Sequence, residues 1–282
     1  MDNLNMPDGT DDLNNKERKL CGLLRSYGRV AVGFSGGVDS TLLLREAIEA
    51  LGAANVLAVV ADTPSLPRAE LAEALSLAAA MGAECVTVNP DEISDPDYAA
   101  NTRDRCYFCK RRLFGHIGAA AAAKGFACVI DGSNADDEGD FRPGRRAARE
   151  LGVKSPLLEA GFTKAEIRLL SQRLRLPTAL KPAMACLASR VPYGAPVTRE
   201  ALARIERSEN SLRDMGFKHC RVRHHADMAR IEVPPGEIPR LMDPAVRERA
   251  VRVLKAAGYV FVALDLQGYR TGSLNEEKMR EK

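Results

Sequence analysis

The chain has 282 residues and carries 41 Lys and Arg against 38 Asp and Glu, a formal net charge of +3. This length predicts two domains with a sizeable core, and a composition of 45% hydrophobic and 28% charged residues excludes general disorder. Aromatic residues make up only 5% and tryptophan is absent, which argues against a surface built on base stacking. We therefore expect no nucleic-acid partner.

The N-terminal sequence is polar and acidic. Residues 1–15 predict a polar tail, and the first twenty residues contain neither an apolar run nor a small-residue cleavage site. No apolar stretch of the sequence is long enough to span a bilayer. We expect a cytoplasmic protein without a membrane partner, in which thiols stay reduced.

Apolar runs and helical patterns alternate over residues 16–180, which we assign to a first domain. The predicted strands are 29–34, 55–61, 84–89 and 126–131, and the predicted helices are 41–52, 67–81, 107–124, 143–151 and 163–174. Continuous apolar strands that alternate with helices are typical of a mostly parallel sheet covered on both faces. The pattern predicts a doubly wound α/β domain.

The pattern changes towards the C-terminus. Prolines punctuate residues 181–196, which we interpret as a linker that carries Cys186. In residues 197–282 we predict helices at 198–215 and 244–257 and strands at 220–224, 229–233 and 259–266. These elements indicate a smaller α+β domain.

A turn of small residues joins the first predicted strand to the first helix that follows it. Ligands of such sheets bind at the carboxyl ends of the strands, beside a helix N-terminus. The lysine of a Walker A loop and the glycine spacing of a dinucleotide loop are both missing. The turn indicates a phosphate-binding loop, with an ordinary glycine-rich turn as the alternative; its residues are Ser35, Gly36, Gly37, Val38, Asp39 and Ser40.

The segment DGSNADD, at 131–137, follows the fourth predicted strand and so reaches the same sheet edge. Its adjacent carboxylates, Asp136 and Asp137, suit Mg²⁺ coordination near a triphosphate, with a solvated loop as the alternative. Lys164 begins the helix at 163–174 and is a candidate contact for an α-phosphate, or else a surface lysine.

Three of the seven cysteines stand out by their context. Cys106 and Cys109 form a Cys-x-x-Cys pair, which suits a redox dithiol, half of a zinc site or part of an iron–sulfur site. Cys186 lies in a loop-like segment and is a candidate nucleophile, because a thiolate next to a cation is a better nucleophile than a buried thiol; a passive loop cysteine is the alternative. Ser189 and Arg190 beside it supply donors for an anionic substrate. Three thiolates on a cubane cluster would leave one iron open. The other four are expected to be inert: Cys21, Cys85, Cys128 and Cys220.

The motif SGGVDS at the first strand–helix junction resembles the PP-loop ATP pyrophosphatases, which have an adenine nucleotide alpha hydrolase-like fold. These enzymes activate their substrates by adenylation and release pyrophosphate. The resemblance implies that residues 16–180 bind ATP and Mg²⁺, and it adds Asp62 and Asn134 to the expected ATP site.

Beyond this superfamily, the chain resembles the LarE-type ATP-dependent sulfur transferases over nearly its whole length after the first fifteen residues. Members of that family make the nickel-pincer nucleotide cofactor of lactate racemase and related enzymes. The most specific motifs are ACLASR and GYRTGSLNE. In order, the resemblance is carried by SGGVDS, ADTPSLPRAE, RCYFCK, DGSNADDEGDFRPG, GVKSPLLEAGFTKAEIR, KPAMACLASRVPYG, CRVRHHADMARIEV and LDLQGYRTGSLNEE.

The resemblance implies adenylation of the carboxylates of pyridinium-3,5-biscarboxylic acid mononucleotide, followed by sulfur delivery to give thiocarboxylates. One-cysteine members give up the sulfur of the cysteine that matches Cys186, which becomes dehydroalanine. Three-cysteine members ligate a four-iron, four-sulfur cluster whose open iron can carry an extra sulfide. With Cys106, Cys109 and Cys186, this chain looks like the cluster-bearing type, with sacrificial transfer from Cys186 as the alternative.

Further residues match the family's substrate site. Arg221 and Arg223 alternate on one predicted strand face and match arginines that bind the substrate phosphate, together with Ser189 and Arg190; solvated strand charges are the alternative. Glu209 is a further candidate for Mg²⁺.

One departure from the family pattern concerns substrate contacts and not the activation step. Ala179 and Leu180 stand where the family has an aromatic and an acidic residue. The resemblance also implies a sulfide donor and a homo-oligomer, with a hexamer as one form, and gives substrate binding and oligomer contacts to residues 197–282. The rival functions are a PP-loop tRNA thiolase, an amide-forming ligase and a nucleotide-binding module without chemistry.

Overall fold

The structure, a computed structural model, describes residues 9–137, 143–182 and 185–270. These residues form two compact units. The first unit contains the chain as far as Glu92 and residues 106–182, and the second contains Ile93–Arg105 and the chain from Ala185 onward. Residues 93–105, predicted from the sequence to belong to the first domain, pack with the C-terminal residues instead.

Helices account for much of the described chain. They are α1 (Gly9–Tyr27), α2 (Val38–Leu51), α3 (Arg68–Ala80), α4 (Pro96–Ala99), α5 (Arg105–Ala123), α6 (Pro143–Glu150), α7 (Pro156–Ala160), α8 (Lys164–Arg173), α9 (Arg199–Asp214), α10 (Ile238–Met242) and α11 (Pro244–Ala256). None of these described helices is long and apolar enough to cross a lipid bilayer.

Strands form one sheet in each unit. They are β1 (Val30–Gly33), β2 (Val56–Ala61), β3 (Glu84–Val88), β4 (Cys128–Ile130), β5 (Arg221–His225), β6 (Met228–Glu232) and β7 (Phe261–Leu264). Each lies inside or within about two residues of the range predicted from the sequence, a normal uncertainty for element ends.

The sheet of the first unit is parallel throughout its described strands and has the order β3-β2-β1-β4. The side chains of β1 and β2 are almost entirely buried because helices cover both faces. This confirms the predicted doubly wound α/β fold. Since β1 lies between β2 and β4, the turn that follows β1 is flanked at the carboxyl edge by the segments that follow those two strands.

The N-terminal helix differs from the sequence expectation. It begins at Gly9, so residues 9–15 are helical and not an extended polar tail, and Leu13 is buried in the core of the first unit. An apolar residue at 13 that is followed by Leu20 and Leu24 places one apolar stripe along the helix. The tail residues 1–8 lie outside the described residues.

The second unit contains a mixed three-stranded sheet. In its described part, β5 pairs antiparallel with β6, and β6 pairs parallel with β7. The core between this sheet and its helices includes Leu212, Phe217, Val222, Ile231, Leu254 and Tyr259. The unit has the α+β composition that the sequence predicted.

Candidate active site

The phosphate loop, Ser35–Ser40, connects β1 to α2 and is closed by its own hydroxyl groups. Ser40 Oγ accepts a hydrogen bond from the Ser35 N–H at 3.3 Å, lies 3.1 Å from Ser35 Oγ and donates to the Gly37 carbonyl at 3.1 Å. Ser40 is buried, whereas Ser35 is exposed. The loop is therefore preformed at the carboxyl end of β1, and Ser35 presents the more accessible hydroxyl.

Gly36 is required by the geometry of this loop. Its φ is +69°, a conformation that residues with a Cβ rarely adopt. A Cβ at Gly36 would also lie 3.0 Å from the Ala74 Cβ on α3. At Gly37, by contrast, a Cβ would approach only Ser35 Oγ, at 3.4 Å. Helix α3 thus packs so closely on the loop that only glycine fits at position 36.

Asp39 links the phosphate loop to two other predicted site residues. Lys164 Nζ forms a close ion pair with Asp39 Oδ2, and Asn134 Nδ2 donates to Asp39 Oδ1 at 3.4 Å. The Lys164 N–H in turn donates to Asp136 Oδ2 at 2.9 Å. An ammonium group beside an anion-binding loop suits a nucleotide phosphate. The structure therefore brings together Asp39, Asn134 and Lys164, which are about 30 to 125 residues apart in the chain.

The loop after β4 lies against the phosphate loop. A Cβ at Gly132 would be 3.1 Å from the Ser40 N atom. Within this loop Asp137 Oδ2 accepts from the Asn134 N–H at 3.0 Å, and the Asp136 N–H donates to Asn134 Oδ1 at 3.1 Å. The two carboxylates predicted to hold Mg²⁺ thus make hydrogen bonds to main-chain amides beside the phosphate loop.

Asp62 follows β2 at the same sheet edge. Its carboxylate forms an ion pair with Arg68 of α3, and its N–H donates to the Val88 carbonyl at 2.9 Å. Arg68 also donates to the Thr63 carbonyl at 2.5 Å. The turn after β2 is therefore held by one arginine, and ATP binding by Asp62 stays a prediction.

Lys181, which was not among the residues predicted from the sequence, has a side chain that reaches the phosphate loop. Its Nζ donates to the Gly36 carbonyl at 3.2 Å and pairs with Glu70 at 2.7 Å and Glu73 at 2.8 Å. Burial alone would lower the pKa of Lys181, but the two carboxylates raise it above its ordinary value. No local signal marks this role, because both carboxylates come from α3, far from Lys181 in the chain.

Four cysteines lie in the bland environments that the sequence predicted. Burial raises the pKa of each of these thiols: Cys21, Cys85, Cys128 and, to about 12, Cys220. A thiol with a raised pKa is a poor nucleophile and a poor metal ligand near neutral pH. None of the seven cysteines forms a disulfide.

Cys106 and Cys109 lie in the first turns of α5. Their spacing of three residues puts both side chains on one face of the helix, with Cys106 exposed and Cys109 half-buried. They belong to the first unit, whereas Cys186 belongs to the second. Within the described part of the chain, no three His, Cys, Asp or Glu side chains are grouped to hold a metal ion.

Cys186 is exposed and directly precedes a short 3-10 helix, Leu187–Arg190. Beneath it, the Arg190 guanidinium is buried, and its Nη1 donates to the carbonyls of Ala185 at 2.7 Å and Cys186 at 2.9 Å. Arg190 Nε and Nη2 donate to the two oxygens of Glu209, at 2.9 and 3.0 Å. The main chain at Cys186 is therefore anchored while its thiol faces solvent.

This geometry surrounds the side chains of Glu209 and Arg190 with protein partners. The Glu209 carboxylate has no exposed surface and accepts further hydrogen bonds from Arg213 Nη2 at 2.9 Å and from the Val222 N–H at 3.1 Å. Burial would raise the pKa of Glu209, but the Arg190 hydrogen bonds and charge hold it below its ordinary value. Protein donors therefore surround this carboxylate, and Mg²⁺ binding by Glu209 and substrate-phosphate binding by Arg190 stay predictions.

The two strand arginines differ from each other. Arg223 is buried, with Nη2 donating to Glu232 at 2.7 Å and Nη1 to the Ser189 carbonyl at 3.0 Å. Arg221 is half-buried, and its Nη1 donates to the carbonyl of Cys220 at 2.8 Å. Burial and the charge of Arg190 lower the pKa of Arg221. Arg223 therefore holds the second unit together, and Arg221 is the more accessible cation of the pair.

Ala179 and Leu180, where the sequence departs from the family pattern, belong to the first unit. Ala179 is buried and its carbonyl accepts from Arg168 Nη1 at 2.8 Å, whereas Leu180 is largely exposed. The motif GYRTGSLNE extends beyond residue 270, so residues 271–277 of that prediction lie outside the described residues.

Comparison with known proteins places these observations in a family. Residues 22–105 match the NAD synthase family. The chain is 39% identical to the pyridinium-3,5-bisthiocarboxylic acid mononucleotide synthase of Lactiplantibacillus plantarum, over 94% of this chain and 95% of that protein. It is 42% identical to the Synechocystis protein slr1717, over 92% and 97% of the two chains.

A shorter match relates the chain to an NH(3)-dependent NAD(+) synthetase of Methanococcoides burtonii, which is 41% identical over 21% of this chain and 22% of that protein. This partial match fits a shared ATP-binding fold, whereas the L. plantarum match extends over both units. From the full-length identity to that synthase, the chain belongs to the LarE-type ATP-dependent sulfur transferases.

Proposed function

We propose that this enzyme adenylates the carboxylates of pyridinium-3,5-biscarboxylic acid mononucleotide and converts them to thiocarboxylates. The observation that carries the proposal is the phosphate loop, Ser35–Ser40, with Lys164 paired to its Asp39 at the carboxyl edge of the sheet. The printed name of the L. plantarum relative supplies the substrate class, because that protein is a synthase of the bisthiocarboxylic acid mononucleotide.

In the activation step, a substrate carboxylate oxygen attacks the α-phosphorus of ATP, and pyrophosphate leaves. Main-chain N–H groups at the start of α2 face the phosphates, and the helix dipole favours negative charge there. Lys164 would exchange its contact with Asp39 for a contact with phosphate oxygens. Asp136 and Asp137 are the proposed Mg²⁺ ligands, and Asp62 and Asn134 the proposed further contacts for ATP.

In the transfer step, a sulfur nucleophile attacks the acyl carbon and AMP leaves with the bonding electron pair. A thiocarboxylate results, and the second carboxylate needs a second ATP. The mixed anhydride is a good acyl donor because AMP is a stable leaving group. The proposed contacts for the substrate phosphate are Arg221 and Ser189, since Arg223 and Arg190 are engaged with buried carboxylates.

For the sulfur source, we propose a four-iron, four-sulfur cluster held by Cys106, Cys109 and Cys186. These three thiols differ from the other four in position, since they lie on the first turns of a helix and in a loop, and two of them are exposed. When bound through three thiolates, such a cluster supplies an open iron at which sulfide can be carried. A sulfide donor, a homo-oligomeric assembly such as a hexamer and a cytoplasmic setting belong to the same proposal.

The proposal is tested by incubating the purified enzyme with ATP, Mg²⁺, sulfide and the biscarboxylic acid mononucleotide. We expect pyrophosphate release that depends on the mononucleotide, and a product whose mass shows sulfur in place of oxygen. Formation of an amide when ammonia or glutamine supplies the nitrogen in place of sulfide would support the NAD synthetase-like alternative instead.

The cluster has its own test. Anaerobically reconstituted protein should bind iron and sulfide near four each per chain, and this content should fall in a Cys106→Ala variant but not in Cys85→Ala. One zinc per chain without iron would contradict the cluster while leaving the ATP chemistry intact.

A further inference from the structure

A buried asparagine gathers the main chain that follows Cys186. Asn101 has no exposed surface, and its Nδ2 donates to the carbonyls of Pro192 at 2.7 Å and Ala195 at 2.8 Å. The main-chain carbonyl of Asn101 accepts a hydrogen bond from the Gly194 N–H at 3.1 Å. Asn101 adopts a φ of +54°, which asparagine tolerates better than most residues. One side chain thus replaces the hydrogen bonds that a regular element would supply to this turn.

Arg105 continues the same arrangement towards the thiol. Its Nη1 donates to Asn101 Oδ1 at 2.6 Å and to the Ala188 carbonyl at 2.9 Å, and its side chain is buried. Its guanidinium also lies 5.5 Å from the centre of the Tyr193 ring, within the range of a cation–π contact. We call Asn101 and Arg105 the clasp.

The clasp and Arg190 hold the main chain on both sides of the reactive position. Arg190 bonds the carbonyls of Ala185 and Cys186, and the clasp bonds the carbonyl of Ala188 and the turn beyond it. Buried donors of this kind are costly to leave without partners, so the two sets specify one conformation of the loop. The thiol itself is exposed. An anchored main chain with an exposed side chain is the arrangement expected of a preorganised reactive group.

We infer that Asn101 and Arg105 are positioning residues, which hold the Cys186 loop in the conformation needed for sulfur transfer; this rests on the proposed function of Cys186. The segment that carries them, Ile93–Arg105, is part of the second unit although it is distant from it in sequence.

The test uses Asn101→Asp and Arg105→Met, with Arg249→Met as the control because Arg249 is exposed on α11. Asn101→Asp preserves shape but turns a carboxylate oxygen towards carbonyl oxygens. The Gly194 N–H donates to the main-chain carbonyl of Asn101, and the Val197 N–H donates to the Ala99 carbonyl at 2.9 Å. We expect faster hydrogen exchange at these two amides and a changed alkylation rate of Cys186 in both clasp variants. Sulfur transfer should fall by roughly 100-fold, as for a small misplacement of a reacting group, while pyrophosphate release stays at the wild-type rate.

Two results would overturn the inference. One is unchanged hydrogen exchange and alkylation with unchanged transfer; the other is an equal loss of pyrophosphate release and transfer in a folded variant, which indicates a general structural role. Thermal unfolding shows whether each clasp variant is folded. If one of Asn101→Asp and Arg105→Met does not fold, the measurements on the other variant test the inference. If Cys186→Ala keeps sulfur transfer, the proposed function of Cys186 fails, and this outcome is distinct from a failure of the clasp.

Discussion

Arg190 and Glu209 form a doubly hydrogen-bonded ion pair beneath Cys186, with N···O distances of 2.9 and 3.0 Å and almost no exposed surface on either side chain. The pair connects α9 to the 3-10 helix that follows Cys186. Because the same guanidinium bonds the carbonyls of Ala185 and Cys186, the stability of the second unit and the geometry of the thiol loop depend on one contact.

Glu209→Gln should destabilise the second unit, since it leaves the buried Arg190 without a counter-charge. Breaking a buried ion pair costs about 3–5 kcal/mol. Unfolding in urea, monitored with a probe attached to the second unit, would measure this loss in the free energy of unfolding. Glu200→Gln is the control, because Glu200 forms an exposed pair with Arg204 on the same helix. An unchanged stability together with an increased Mg²⁺ requirement would support the predicted role of Glu209 as a ligand of Mg²⁺.

Glu46 predicts a pH dependence of stability in the first unit. Burial, followed by the charge of Glu17, raises the pKa of Glu46 from 4.5 to about 7. The folded state therefore binds more protons than the unfolded state between these values, and this contribution to stability is lost as the pH rises from about 4.5 to about 7. At about 1.4 kcal/mol for each unit of pKa, the loss is on the order of 3 kcal/mol.

Glu46→Gln removes this titration and keeps an acceptor for the Cys21 thiol, which donates to Glu46 at 3.6 Å. We expect the variant to gain stability over the wild type as the pH rises to about 7, and the difference to stay constant above it. Glu84→Gln, at an exposed position on β3 of the same unit, is the control. Parallel stability profiles for Glu46→Gln and the wild type would show that the pKa of Glu46 is the same in the folded and unfolded states, and would contradict the raised pKa.

Gly36→Ala should impair nucleotide activation by more than the backbone strain of a positive φ alone would cause. A Cβ at Gly36 meets Ala74 at 3.0 Å, whereas one at Gly28, with a similar φ of +75°, meets no atom within 4 Å. Gly28→Ala therefore isolates the conformational cost, about 1–2 kcal/mol, while Gly36→Ala adds overpacking and displaces the loop. Pyrophosphate release should fall only in Gly36→Ala, and equal rates in the two variants would contradict the close packing of α3 on the loop.

Lys164→Gln should reduce pyrophosphate release, because it removes the cation beside Asp39 that we assign to the α-phosphate. We expect a loss of about 100-fold to 1,000-fold in kcat, the usual cost of losing one charge-stabilising donor. Lys255→Gln, at an exposed position near the end of α11, provides a charge-matched control. A wild-type rate in Lys164→Gln would leave Lys164 as a structural partner of Asp39 alone.

Local patterns predicted the fold, and they placed the turn Ser35–Ser40 at the carboxyl end of β1, where the structure has it. The helix predicted at 163–174 is α8, and in the structure it begins with a capping box: Thr163 Oγ1 accepts from the Glu166 N–H, and the Glu166 carboxylate accepts from the Thr163 N–H. This helix start carries Lys164, which pairs with Asp39 of the phosphate loop. Such features depend on residues close together in the chain, so their physics is visible in the sequence.

The remaining features of the site depend on ion pairs and hydrogen bonds between residues that are distant in the chain. Glu209 and Arg223 look like solvated charges in their own segments, and only the packing of α9 and β6 shows that each faces a buried partner. Likewise, nothing in residues 93–105 indicates that Asn101 bonds the carbonyls of residues about 90 positions away. Lys181 was missed for the same reason.

The central claim is that ATP-dependent activation and sulfur transfer are separate steps and that Cys186 acts only in the second. The most direct measurement compares pyrophosphate and thiocarboxylated nucleotide formed by the wild type, Cys186→Ala and the control Cys85→Ala, with the mass of the Cys186 peptide recorded after turnover. We predict that Cys186→Ala releases pyrophosphate but forms no thiocarboxylate, whereas Cys85→Ala forms both products. In the wild type, an unchanged mass of the Cys186 peptide indicates that Cys186 is a cluster ligand, and a mass lower by one H₂S indicates sacrificial transfer. Thiocarboxylate formed by Cys186→Ala, or no mononucleotide-dependent pyrophosphate from the wild type, would contradict the account.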